Sequence, residues 1–277
     1  MRKWKGGFMA KRRLGYSDQD MASSPYARFF NPHMAPLPEH VLEALSKGVV
    51  AQELLPPVSQ AEAMQEEGYA LIENGYTITP DGAGRIACLT RMPGVLPHMW
   101  AWWFAWHGSE ALRYKLWHPL AHVDVAWADG RSDLNHYVGR TSRIVEYLGA
   151  RCMHVWLRFV SPAVLGFDES RLSARGEVVI CGRGGIAGLP FEAVWLVHHI
   201  RPVVGGSEMR SRFWLGGANV HPIGMPGPVG RAIGLLAAQT QRYTATQAAE
   251  MMIHDAQEMN HLAAILPDLY ATFGPGR

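Results

Sequence analysis

The chain has 277 residues, 48% of them hydrophobic, and carries 26 Lys and Arg against 24 Asp and Glu, a formal net charge of +2. That is enough apolar material for one large domain, or for a catalytic domain with a smaller companion, while so small and dispersed a charge gives no reason to invoke nucleic acid. Cys88, Cys152 and Cys181 are widely spaced, odd in number and without a CxxC, so they read as structural thiols in a reducing compartment; with no window of roughly 20 consecutive apolar residues, the expectation is a soluble, cytoplasmic protein with no membrane partner.

In chain order, the basic stretch Arg2, Lys3, Lys5, Lys11, Arg12 and Arg13 is followed by no apolar run and reads as a mobile arm, not an export signal. Residues 1–65 mix proline and charge around a short amphipathic helix at 38–47. Residues 69–79 read as extended, Pro80-Asp81-Gly82 as a turn and 85–91 as a second strand. Pro97 and Gly108 bracket a helix through 99–107, and Ser109 is expected to cap another that Pro119 stops. Strands follow at 122–126, 142–148, 152–160 and 177–181, then 193–202 and 209–215 flank Gly205-Gly206 as a hairpin. No proline interrupts 229–266, so that stretch is one long helix or two consecutive ones. The layout is α+β, with the C-terminal helix in the concave face of an antiparallel sheet. The expected division is a smaller N-terminal accessory domain, residues 1–80, and a catalytic domain, residues 81–277.

Thirteen His and ten Trp are a compositional oddity. A Trp-rich interior suits a bulky aromatic ligand, or is simply core. His254 and Glu258 are four apart in a helical stretch, where an imidazole and a carboxylate can close on one cation, or form a surface ion pair. For a metal, two further ligands must come from strands facing that helix. Glu146 shares a face with Ile144, and His122 shares one with Asp124; His118 is a rival to His122, while Glu250 and His261 lie on the same helical stripe as the chosen pair. Asp124 reads either as an acceptor for a ligand imidazole or as a solvated carboxylate.

Met92-Pro-Gly-Val, the Met99-Trp-x-Trp-Trp-Phe-x-Trp-His-Gly run, Arg113-Tyr-Lys-Leu-Trp-His-Pro-x-Ala-His, Ser211-Arg-Phe-Trp-Leu-Gly and His254-x-x-x-Glu-Met-x-x-Leu-Ala resemble the 2,4-diacetylphloroglucinol hydrolase and phloretin hydrolase family over about residues 68–269. The resemblance implies a helix-grip catalytic domain of the Bet v 1 type, a smaller N-terminal domain used in homodimerisation, and one Zn2+ held by His122, Glu146, His254 and Glu258. It also places Tyr114 and His198 at positions that contact substrate and act in catalysis, with His199 the rival to His198 on the opposite sheet face. Phe213 falls at a substrate-binding position where members acting on acylphloroglucinols can carry Tyr, so one hydroxyl is missing. The Trp100, Trp102, Trp103 and Trp106 cluster is expected to wall a flat ring, with Trp103 as its substrate contact.

The chemistry implied is hydrolysis of the carbon–carbon bond between a phenolic ring and an acyl carbonyl, on a small aromatic ketone. Two His and a carboxylate also suit a non-haem iron oxygenase, and helix-grip proteins can be plain hydrophobic ligand binders. Metal identity separates the first alternative; loss of a metal quartet's effect separates the second.

Overall fold

A computed structural model describes residues 13–275; the basic N-terminal stretch, Arg13 apart, lies outside them. The chain opens with a short helix, Asp18–Ser23 (α1), then Glu39–Lys47 (α2). It continues through strands Gly75–Ile78 (β1) and Gly84–Pro93 (β2) and helices Pro97–Trp106 (α3) and Ala111–Trp117 (α4). Strands His122–Trp127 (β3), Thr141–Leu148 (β4) and Arg151–Val160 (β5) follow, then helix Glu169–Ala174 (α5). Val178–Ile186 (β6), Phe191–Glu192 (β7), Val194–Val203 (β8), Gly206–Leu215 (β9) and His221–Pro222 (β10) complete the strands. Gly227–Thr240 (α6), Ala245–Ala263 (α7) and Leu266–Phe273 (α8) close the chain.

Eight strands pair antiparallel in the order β1-β2-β9-β8-β6-β5-β4-β3, while β7 and β10 make a separate ribbon that the sequence did not announce. The sheet is built from hairpins, so neighbours in sequence are mostly neighbours in space. At the β4–β5 turn Gly149 has φ +57°, and a Cβ there would sit 2.3 Å from the Glu250 carboxylate of α7. The left-handed turn favours glycine, and any side chain there would have to displace the Glu250 carboxylate. The expected helix-grip arrangement is therefore present: α7 lies across the inner face of β1, β2 and β4.

The apolar residues fall into layers around that sheet. Trp100, Trp103, Phe104, Trp117, Phe159, Ile200, Met209, Met259 and Leu262 fill the space between α3, α4 and the C-terminal half of α7. Val41, Ile86, Cys88, Phe213, Met252 and Ala256 fill the other half, under α2. Ala61, Met64, Phe167, Trp195 and Trp214 cover the outer face. There the 54–70 segment is tied down by Arg210 donating to the Met64 carbonyl (2.8 Å) and Trp214 donating to the Pro56 carbonyl (2.8 Å). The boundary expected at residue 80 falls between β1 and β2, two strands of one sheet. Among the described residues no helix is long and apolar enough to cross a membrane.

Three local expectations need correction. The extended run expected from residue 69 becomes a ladder strand only at Gly75. Ser109 does not cap α4: Glu110 holds the cap position, and the Ser109 hydroxyl accepts from the Asp133 backbone N–H at 2.9 Å. Of the two readings of 229–266, two consecutive helices is the one observed: Thr244 and Gln247 close a capping box that starts α7 afresh after α6. A bulge between His122 and Asp124 pairs His122 with Glu146 but Asp124 with Val145. An extra residue in one strand reverses the alternation, so Asp124 does not share the His122 face, and it acts electrostatically on Lys115 instead.

The capping box should matter because it starts the helix that carries two candidate ligands. Thr244→Ala is expected to lower unfolding free energy by ~1 kcal/mol, read as a lower urea midpoint with an unchanged slope.

Candidate metal centre

The site begins with a short piece of chain. Tyr114 lies in α4 and His122 opens β3, and the His122 Nδ1–H donates to the Tyr114 carbonyl at 2.9 Å. The two rings stack, with centroids 3.7 Å apart and planes 6° from parallel. Because a carbonyl can only accept, Nδ1 carries the proton and Nε2 is left with its lone pair. Ladder pairing sets Glu146 opposite His122, and α7 supplies His254 and Glu258 one turn apart.

One donor atom each from His122, Glu146 and His254 lies within 4.8 Å of the others. Glu258 joins this trio through the imidazoles: its Oε2 is 3.3 Å from His122 Nε2 and 3.7 Å from His254 Nε2. Glu146 Oε2 stands 3.7 Å from His122 Nε2 and 4.0 Å from His254 Nε2. Donors bound 2.0–2.2 Å from a tetrahedral cation are roughly 3.3–3.6 Å apart, so these spacings need only small adjustments.

The electrostatics call for a cation. His122 Nε2 is fully buried and has no hydrogen-bond partner. Burial pushes the Glu146 and Glu258 carboxyls up, Glu258 further because Asp255 and Glu146 are close, and pulls the His254 imidazole down to about 3. His122 is lowered for the same reason, with His254 and His118 adding repulsion. Apolar surroundings thus disfavour every charge these groups could carry, and a divalent ion among them inverts that preference. Neutral imidazoles and carboxylates are the donors such an ion needs, so the residues fit a metal.

The rival ligands are placed elsewhere. His118 stacks on His254 (centroids 5.0 Å) with its Nδ1 buried and unpartnered, outside the compact cluster. Glu250 reaches Arg151 at 3.3 Å. His261, a turn beyond Glu258, is buried with its Nε2 unpartnered and stands beside His118.

The cluster borders a cavity of about 400 Å³. Glu146, His254, Glu258, Tyr114 and His198 all line it. The Tyr114 hydroxyl donates to Glu146 Oε2, and burial beside that carboxylate pushes the phenol up. His198 points inward, its Nδ1 2.9 Å from the Ser211 hydroxyl, and burial pulls it to about 3. His199 points to the opposite face and bonds Glu177 at 2.9 Å. Phe213 lines the cavity beside His198, ring centroids 5.7 Å apart.

The tryptophan expectation needs revision. Trp103 is fully buried and does not line the cavity; it packs behind Trp117 and His107, at centroid distances of 6.0 and 5.4 Å. Trp100, Trp102 and Trp106 do not line it either, and the aromatic wall is Phe104, Trp117, Trp156, Phe159 and Phe213. A run this dense in aromatics has no polar face to signal which ring points inward. His107, given no role by the sequence, also lines the cavity, with burial holding it at about 4.

Residues 54–271 match the family described as DAPG hydrolase PhiG domain. A 2,4-diacetylphloroglucinol hydrolase of Pseudomonas sp is 32% identical over 267 residues, covering 91% of this chain and 89% of that protein. A phloretin hydrolase of Eubacterium ramulus is 28% identical over 278 residues, covering 94% and 93%. Among solved structures, the ginseng major latex-like protein 151 of Panax ginseng aligns at 12% identity with a TM-score of 0.32, over 65% of this chain and 99% of that one.

Removing a ligand should release the metal. Loss of partners outside the coordination sphere already weakens metal binding by 10–100-fold, so Glu146→Ala and His254→Ala are each expected to lose more than roughly tenfold in affinity. Metal analysis after gel filtration, with wild type near one divalent ion per chain, checks this.

Proposed function

We propose, from the premise that this chain belongs to the DAPG hydrolase family, that it hydrolyses the carbon–carbon bond between a phloroglucinol-type phenolic ring and an acyl carbonyl, releasing a carboxylic acid. One Zn2+ held by His122, Glu146, His254 and Glu258 is part of this reading. The observation that carries it is the convergence of His122, Glu146 and His254, with Glu258 3.3 and 3.7 Å from the two imidazoles, beside a largely apolar cavity that Tyr114 and His198 also line. Two imidazoles and two carboxylates suit zinc, which in such a site polarises a carbonyl and lowers the pKa of water toward ~7.

The residues themselves account for the rest. In the net reaction the oxygen of water adds to the acyl carbon, the ring–acyl bond breaks, and the ring carbon takes up a proton. Tyr114, whose hydroxyl donates to Glu146 in the free protein, is the group to donate to the acyl oxygen or to a ring hydroxyl. His198, kept neutral by burial, accepts a proton from a substrate hydroxyl or water and delivers one to the ring carbon. Phe104, Trp117 and Phe213 flank a flat ring and keep bulk water from the departing carbanion equivalent. Because Phe213 has no hydroxyl, the ring hydroxyls fall to Tyr114, His198 and His107. Trp103 supports that wall from behind.

The accessory domain over residues 1–80 is proposed on the residue pattern and the resemblance, its use in homodimerisation on the resemblance, and a cytoplasmic location on the cysteine pattern and the want of a long apolar window. Sedimentation equilibrium should give twice the chain mass, and a monomer at every concentration rejects the dimer.

Incubation with a panel of acylphloroglucinols and dihydrochalcones should release carboxylic acid with zinc in the protein. Iron together with oxygen consumption would overturn the hydrolytic reading. Tyr114→Phe should reduce kcat by about 10²–10³-fold; unchanged turnover removes Tyr114 from the mechanism.

A further inference from the structure

A row of side chains crosses the inner face of the sheet behind His198. In the ladder Cys88 of β2 is opposite Ser211 of β9, and Ser211 is opposite His198 of β8. Asp255 of α7 stands over this row, and Asp255 and Ser211 are both fully buried. His198 Nδ1 is 2.9 Å from the Ser211 hydroxyl and 3.9 Å from Asp255 Oδ1. The first is a hydrogen bond and the second is too long to be one. Neither Asp255 oxygen makes a close hydrogen bond, and the donors that face them are the Ser211 hydroxyl and the Cys88 thiol.

A serine hydroxyl has one proton and two lone pairs. If its proton points to His198, the Asp255 carboxyl loses its best donor in a place without water, which is costly. If its proton points to Asp255, both groups are served, and the hydroxyl oxygen must accept from the imidazole.

We propose that Ser211, backed by the buried Asp255, is a positioning residue that fixes His198 as its Nδ1–H tautomer and leaves Nε2 as the free lone-pair nitrogen. The catalytic meaning rests on the function proposed above. A proton passes from a substrate hydroxyl or water to Nε2 and from Nε2 to the ring carbon, while Nδ1–H and the Ser211 hydroxyl keep their protons throughout and the Asp255 carboxylate remains an acceptor. The ring then neither flips nor turns between accepting and donating. A histidine in the wrong tautomer can lose several orders of magnitude in rate, so the network decides whether His198 functions at all.

Nitrogen NMR on zinc-loaded protein with isotope-labelled histidine reads the tautomer without substrate, the His198 signal being identified by its loss in His198→Gln. Wild type should show Nδ1–H. Ser211→Ala should lose that signature and about tenfold or more in kcat, with zinc content and KM unchanged, and Ser211→Thr, which keeps the hydroxyl, should retain the signature. A wild-type Nε2–H signal overturns the proposal whether or not Ser211→Ala folds. So does a Ser211→Ala protein with the Nδ1–H signal intact and kcat within twofold of wild type. A wild type inactive on every acyl phenol but losing the signature in Ser211→Ala sinks the function and supports the positioning.

Discussion

Two carboxyl groups and two imidazoles packed together away from water are the constraint around which this molecule is arranged. Each would be charged or hydrogen-bonded in solvent, and here burial opposes every charge they could carry. Their arrangement is unfavourable for a protein alone and favourable around a divalent ion, which supplies the opposite charge to the carboxylates and an acceptor for the imidazole lone pairs. Binding energy at such a site is also energy for folding, because the four donors lie on three separate elements and meet only when sheet and helix are docked.

That docking depends on a division of labour among apolar residues. Trp100 and Trp103 are spent on the core between α3, α4 and α7, while Phe104 and Trp117 line the cavity. On the far side of the sheet, Glu73 binds Arg210 at 2.7 Å and Arg212 at 2.6 Å and so fastens the N-terminal segment over β9. Partly for this reason β9 is buried on both faces, and Ser211 is held beside His198 with no water to compete for its hydroxyl. A polar row in the sheet and the His/Glu cluster are thus held by the same covering layers.

Much of the architecture was legible along the chain. Proline at 97 and 119, the apolar alternation of 142–148 and the Gly205 turn each act within a few residues, and the elements they mark are where they were expected. Errors arose where a decision depended on partners distant in sequence. The bulge at His122 is a property of the β3–β4 pair, so alternation read on β3 alone put Asp124 on the wrong face. The choice between one long helix and two over 229–266, which the sequence left open, is made by the Thr244–Gln247 box that starts α7.

For the site, the sequence by itself determined the inventory: the His254–Glu258 pair one turn apart, the acidic residue among apolar neighbours at 146, and the motif positions that name His122, Tyr114 and His198. These follow from local periodicity and from residue chemistry, which the chain carries without folding. Tertiary structure alone decided that Glu146, His122 and α7 converge, that His198 and not His199 faces the cavity, that the tryptophan run is mostly core, and that Ser211 and Asp255 stand behind the His198 imidazole. The reason is physical: coordination, burial and tautomer are set by distances of a few ångströms between side chains on separate elements, from the neighbouring strands of His198 and Ser211 to His122 and Glu258 far apart along the chain, and no single-element pattern records them.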